Sequence, residues 1–188
     1  MARITRRELM SILGAFGVVA ALGGLAFGLP AIDRSLPDTR PVRADEPYLV
    51  GAGVTVVPPA GATLDVTVTR PGGSTGTALF RLGTVQYQVA VRPFDGDLRT
   101  AGERLRHRIT ATSGYQVTGP QLAVTTAGGL DGLQGGYSAP GRSGRYAVFV
   151  ADGLTIEVTV SGTDLDLART LPQIEASTRT VQTDGRER

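Results

Sequence analysis

Cysteine, lysine and asparagine are all missing from the 188 residues, and histidine occurs once. Without cysteine there is no disulfide framework, no thiol nucleophile, no thiolate metal site and no lipid-modified cysteine anchor. Without asparagine there is no N-glycosylation sequon. Lysine and asparagine share AA-initial codons, so their joint absence, with abundant Ala, Gly and Pro, points to a GC-rich genome of actinobacterial type. All 19 basic residues are therefore Arg, and each carries less meaning than it would elsewhere. The one histidine, His107, stands between Arg106 and Arg108. Those neighbours disfavour imidazolium and repel metal ions, so it reads as a solvated side chain rather than a catalytic base. A Ser-His-Asp relay is not expected.

An excess of charge is also missing from the body of the chain. The sequence pI is 9.4, but residues 45–188 hold 13 Arg against 14 Asp and Glu, about −1. A nucleic-acid partner is not expected, because a binder of that kind carries a basic face on its folded domain.

What is present first is a long uncharged run. Residues 9–32, LMSILGAFGVVAALGGLAFGLPAI, contain nothing that ionises and are bracketed by Glu8 and Asp33. As a helix, these 24 residues reach about 36 Å, enough for a hydrocarbon core of about 30 Å. Arg3, Arg6 and Arg7 precede the run as a basic cluster. Two readings stay open: a signal anchor that remains in the bilayer, or a signal peptide that is removed. The run exceeds a usual signal-peptide core, and Ala26-Phe27-Gly28 fits a cleavage site only loosely, so the anchor is preferred. Thr5-Arg6-Arg7-Glu8-Leu9-Met10 has the look of a twin-arginine export signal, but paired arginines that simply hold a tail in the cytoplasm are the preferred reading. The expected topology is a cytoplasmic tail at 1–8, a single-pass anchor at 9–32 in the cell membrane and an extracytoplasmic C-terminal domain. Ala20, Gly24 and Gly28 form a small-residue ridge that would let two such helices approach closely, hence a homodimer through the membrane segment.

Residues 33–47 read as a tether, with Pro37, Pro41 and Pro47 interrupting helix between charges of both signs. A domain is expected over 48–181 and a frayed tail over 182–188. Strand patterns occur at 54–57, where Pro58-Pro59 stops the ladder, and at 64–69, where Leu64, Val66 and Val68 alternate with Asp65, Thr67 and Thr69. Residues 78–82 and 84–92 read as a hairpin about Gly83, with Val85, Tyr87, Val89 and Val91 on one face. The period then changes: Leu98, Ala101, Leu105, Ile109 and Thr112 mark an amphipathic helix, started either by Asp97 as its cap or by a Thr100-Ala101-Gly102-Glu103 capping box. Strands return at 121–126, 133–138, 146–151 and 154–161, the last two joined by an Asp152-Gly153 turn. Tyr146, Val148 and Val150 are expected opposite Ile156, Val158 and Val160. Thr163 to Asp166 open a last helix, with Leu167, Leu171 and Ile174 toward the sheet and Pro172 kinking or splitting it. The order predicts an α+β domain, an antiparallel sheet covered by helices.

Val57-Pro58-Pro59-Ala60-Gly61 resembles the opening strand of PsbP-like, LpqN-type extracytoplasmic domains, and the Gly135-Gly136-Tyr137 strand, the hairpin and the helix through Ile174 and Ser177 follow that layout over about residues 48–181. The resemblance implies an α/β/α sandwich, and a small non-catalytic envelope module that binds or assists a partner. It brings no catalytic residue set.

The residues themselves offer little chemistry. Asp95-Gly-Asp97 and Asp164-Leu-Asp166 lack the further carboxylates of a calcium loop and stand before helices, where Asp caps exposed amides. No metal, cofactor or catalytic set is expected. Residues 138–145 read as a glycine-rich loop in which Arg142, Ser143 and Arg145 could hold a phosphate or carboxylate, against the plainer reading of an ordinary glycine-rich hairpin loop with solvated arginines. The leading expectation is a membrane-anchored, non-catalytic binding or assembly module with an envelope protein partner. The alternatives are a carrier for a lipid or other apolar ligand, favoured by an apolar cavity of about 300 Å³ or more, and an exported enzyme with Asp65 or Glu157 converging on an arginine.

Overall fold

The computed structural model describes residues 38–184. The anchor at 9–32 and its ridge Ala20, Gly24 and Gly28 lie outside the described residues. Among the described residues, no helix is long and apolar enough to cross a membrane. The elements in order are β1 (Thr39–Pro41), β2 (Tyr48–Gly51), β3 (Val54–Val56), β4 (Thr63–Asp65), β5 (Gly76–Leu82), β6 (Val85–Pro93), α1 (Leu98–Ala111), β7 (Gln116–Thr125), β8 (Asp131–Ala139), β9 (Arg142–Ala151), β10 (Leu154–Gly162), α2 (Asp164–Arg179) and β11 (Gln182–Thr183).

Eight strands form one sheet in the order β1-β4-β5-β6-β10-β9-β8-β7, and every neighbouring pair is antiparallel. Strands β11, β3 and β2 form a second, small sheet. Helix α1 packs on β7, β8 and β9, and α2 on β6, β9 and β10. The helices take opposite faces. Leu105 and Ile109 of α1 meet Tyr137, Tyr146 and Val148, whereas Leu167 and Ile174 of α2 meet Phe149, Ile156 and Val158. The small sheet closes the α2 side through Val50, Val54 and Val56. This is the expected helix-covered antiparallel sheet.

Local signals behave as their chemistry requires. The Asp97 carboxylate accepts from the Thr100 amide at 2.7 Å and starts α1. Thr163 accepts from the Asp166 amide at 3.3 Å and starts α2. Helix α2 then runs unbroken through Pro172 rather than splitting there.

Three expectations are corrected. The hairpin about Asp152 and Gly153 is tight, both residues having positive φ (53° and 71°), and it pairs Ala151 with Leu154. Ile156 therefore lies opposite Phe149, and Val158 opposite Ala147, one residue away from the expected register. Both faces of β9 are buried, so apolar residues occur at odd and even positions alike and period alone does not fix the register. Strand β4 stops at Asp65 instead of continuing to Thr69. The Asp65 carboxylate accepts from the Thr67 amide at 3.0 Å and the Thr67 hydroxyl at 2.5 Å, a local turn that competes with the ladder. Val66 and Val68 are left 42% and 48% exposed. Third, residues 138–145 form the hairpin of the plainer reading, with almost no loop in it. They are the ends of β8 and β9 about a two-residue Pro140-Gly141 turn, with Gly141 at φ 70°.

The folded unit also extends past 48–181. Strand β1 pairs with β4, and β11 pairs with β3. The end of α2 is tied to the same place: Val57 N donates to Thr180 Oγ1 at 2.8 Å, and Ser177 Oγ donates to Val57 O at 2.5 Å.

Candidate functional site

Strand parity sets the face that α2 covers. Reading across the register, that face presents Thr118, Leu122 and Val124 from β7, Gly132, Gln134 and Gly136 from β8, Arg145, Ala147 and Phe149 from β9, and Val158 and Val160 from β10. Helix α2 leans over β6, β10 and β9, and presents Leu171, Ile174, Glu175, Thr178 and Arg179 along one stripe. Between that stripe and β7–β10 lies a cavity of about 330 Å³. Most of its wall is apolar: Val124, Ala147, Phe149, Val158, Val160, Leu171 and Ile174, with Leu122 at 57% exposure on its edge.

Gly136 and Ala147 are small residues of its wall, and Gly132 and Gly136 let larger neighbouring side chains lie across β8. The Phe149 ring lies directly on Gly132, where an added Cβ would meet it at 2.4 Å. Arg145 reaches back across β8 in the same way: a Cβ at Gly136 would lie 2.9 Å from Arg145 Nη1 and 2.7 Å from Thr118 Oγ1. Polar groups line the remainder. Arg145, Glu175 and Arg179 are exposed, giving a net positive rim, and none of the three forms an ion pair among the described residues. Behind the lining residue Thr178, the buried Tyr87 hydroxyl meets Ser177 and Thr178, and burial pushes its ionisation up, against those two bonds.

The sequence names Arg145 and allows for an apolar cavity of this size, but it does not locate the residues that line it. Consecutive glycines inside a strand, Gly135-Gly136, were the available signal, since a strand glycine often marks a place where something approaches the backbone closely. The three residues expected to act together are separated. Arg142 and Arg145 are three apart on β9 and so point to opposite faces. Arg142 Nη2 reaches Ser161 on the α1 side, near Tyr137, at 3.4 Å from its hydroxyl. Ser143 donates to Asp164 at the start of α2. Arg145 alone joins the cavity.

On the opposite face, a polar groove of about 430 Å³ runs beside α1, lined by Gln88, Arg108, Tyr115, Tyr137, Glu157 and Thr159 among others. Its buried carboxylate, Glu157, is paired with Arg108. Asp65 is paired with Arg81, 2.5 Å from Nη2. The carboxylates do not converge, since β5 and β6 stand between β4 and β10 in the sheet. Among the described residues, no group of three or more His, Cys, Asp or Glu is placed to hold a metal ion.

Antiparallel eight-stranded sheet, helix on each face and accessory strands together can be compared with solved structures. The solution structure of cyanobacterial PsbP (CyanoP) from Synechocystis sp. PCC 6803 superposes with a TM-score of 0.51 at 14% identity, covering 70% of this chain and 86% of that one. The fold is PsbP-like. Two further structures align more loosely. PA94 of Pseudomonas aeruginosa, a protein of unknown function, gives a TM-score of 0.46 at 15% identity, over 68% of this chain and 94% of that one. LpqN, involved in cell envelope biogenesis of Mycobacterium tuberculosis, gives 0.39 at 19% identity, over 78% and 80%. No family model and no curated protein matches the sequence. The likeness to PsbP fixes the architecture, and function must be argued from the cavity.

Proposed function

We propose that the chain is a non-catalytic binding module of the cell envelope, held by residues 9–32 with its PsbP-like domain outside the cytoplasm, and that the domain takes an apolar ligand between α2 and β7–β10. The cavity carries this reading. Its 330 Å³ and apolar wall lie within the range of small-molecule sites, which span roughly 300–1,000 Å³. An exported enzyme is the weaker alternative, since Asp65 and Glu157 are each committed to a separate arginine.

Two measurements test the proposal. In wall-stripped cells, external protease should remove the domain while a tag placed before residue 1 stays protected; a domain that resists until the membrane is lysed would overturn the address. In nanodiscs of phosphatidylcholine, the full chain should bind the neutral apolar dye N-phenyl-1-naphthylamine saturably above the empty-disc signal. No saturable component would overturn the ligand reading.

A further inference from the structure

The cavity has an electrostatic sense as well as an apolar one. Two guanidinium groups, Arg145 from β9 and Arg179 from the last turn of α2, border the same apolar space. Four of the thirteen arginines among the described residues have a carboxylate partner: Arg43, Arg81, Arg99 and Arg108. Arg145 and Arg179 have no ion-pair partner among the described residues. Arg145 is also held in a particular place. It crosses β8 only because residue 136 is glycine, and it ends beside the Thr118 hydroxyl, a second donor at the same rim. A carboxylate facing them, Glu175, offsets one charge and leaves the rim at net +1. Guanidinium and hydroxyl donors around an opening are the donor set for a carboxylate or phosphate oxygen.

The interior sets the rest of the ligand. A cavity of about 150 Å³ accepts one benzene ring, so by proportion 330 Å³ accepts roughly a dozen carbons. That suits one acyl chain and not two. From these observations we infer that the site selects a single-chain amphiphile with an anionic head, its chain lying against Phe149, Val158 and Ile174 and its head at Arg145, Arg179 and Thr118. This rests on the ligand-binding reading above and adds the ligand's charge. A fatty acid and a lysophospholipid both supply the chemistry, as carboxylate or as phosphate.

The test uses the full chain in phosphatidylcholine nanodiscs with Leu122→Trp, an exposed edge position, as the only tryptophan. Its fluorescence is titrated with dodecanoate, lauroyl lysophosphatidate and dodecanol, each corrected for partition into empty discs. At least one anionic ligand should bind on the order of ten-fold tighter than the neutral alcohol, and 0.5 M salt should shrink that margin. The better of the two anions identifies the head. Arg145→Gln with Arg179→Gln should bring anion and alcohol to equal affinity, while Arg142→Gln, on the other face, should keep the preference. Equal affinity of all three ligands for the unsubstituted rim overturns the anionic head and leaves the apolar site standing. A preference that survives loss of both rim arginines also overturns it. Binding of none of the three overturns the site itself.

Discussion

Ala147→Leu should both stabilise the domain and abolish its ligand binding. Ala147 is 5% exposed, lies between Arg145 and Phe149 on β9, and faces the cavity with Gln134 and Val158 as its strand partners. Leucine adds three carbons there. At about 0.8 kcal/mol for each buried carbon the ceiling is about 2.4 kcal/mol. Freezing a leucine side chain costs about 0.5–1 kcal/mol. The net is about 1.5 kcal/mol, and at about 2–4 °C per kcal/mol for a chain of this size the melting temperature rises about 3–6 °C. In a filled core the same substitution has the opposite sign, since overpacking costs about 1–3 kcal/mol. Thermal unfolding of the full chain in nanodiscs, followed by far-UV circular dichroism, reads the sign directly. Titration with N-phenyl-1-naphthylamine on the same sample reads the cavity. A melting temperature that falls while dye binding is unchanged would refute the reasoning, because it would mean that the space beside Ala147 is already occupied by protein and that the dye sits elsewhere.

Two further predictions concern ionisation. Burial alone would raise the Asp65 carboxyl, but the hydrogen bonds from Thr67 and Arg81 outweigh it and hold the group below its ordinary value of 3.8. A depressed acid stabilises the fold above its unfolded-state pKa and loses that contribution as pH falls through the folded one, so the loss lies below about pH 4. Asp65→Asn should cost about 2–3 kcal/mol at pH 7 in urea unfolding and should flatten the acid limb in part, because Asp97 and Asp166, held low by their hydrogen bonds to Thr100 and to Thr84 and Thr163, remain. An acid limb unchanged by the substitution would count against the pairing. Tyr137 has the reverse sense: burial, against the pull of Ser161 and Arg142, pushes its phenol up to about 12, and its hydroxyl donates to Val160 O at 2.8 Å. Its contribution is whole below about pH 10 and is lost as pH rises through 12, so Tyr137→Phe should cost about 1 kcal/mol at neutral pH and remove a late step from the ultraviolet phenolate titration.

Elements written in one short stretch of sequence were legible in it. The spacing of Leu98, Ala101, Leu105 and Ile109 gives α1, Asp97 gives its start, and Asp152-Gly153 gives a hairpin, because each depends on residues within a turn or two of one another. What failed was decided between strands. The partner of Ile156 is Phe149 because both residues of the turn adopt positive φ, and no alternation within β10 states this. Strand β4 ends where the Asp65 side chain finds the Thr67 amide, and Arg81, sixteen residues later, comes to share that carboxylate. Strands β1 and β11, three and two residues long, are too short to show a period at all; they are strands because β4 and β3 offer them open edges.

The candidate site was harder still, because its wall is gathered from four strands and a helix. Gly132, Gly136 and Ala147 lie on two strands, and only the β8–β9 register puts all three on the face under α2. In the sequence they are three small residues among 26 glycines and many alanines. The same register decides the arginines. Read as a loop, residues 142 to 145 could gather both guanidinium groups around one anion; paired with β8, the strand sends Arg142 to Ser161 on the α1 side and Arg145 across Gly136 to the cavity. A partner for Arg145 then has to come from another element, and the helix that roofs the cavity supplies it, with Arg179 one turn beyond Glu175. Whatever charge selection the site has is therefore a property of the fold, assembled from β9 and α2, and the lone arginines of a lysine-free sequence acquire meaning only through the glycine that lets one of them lie flat.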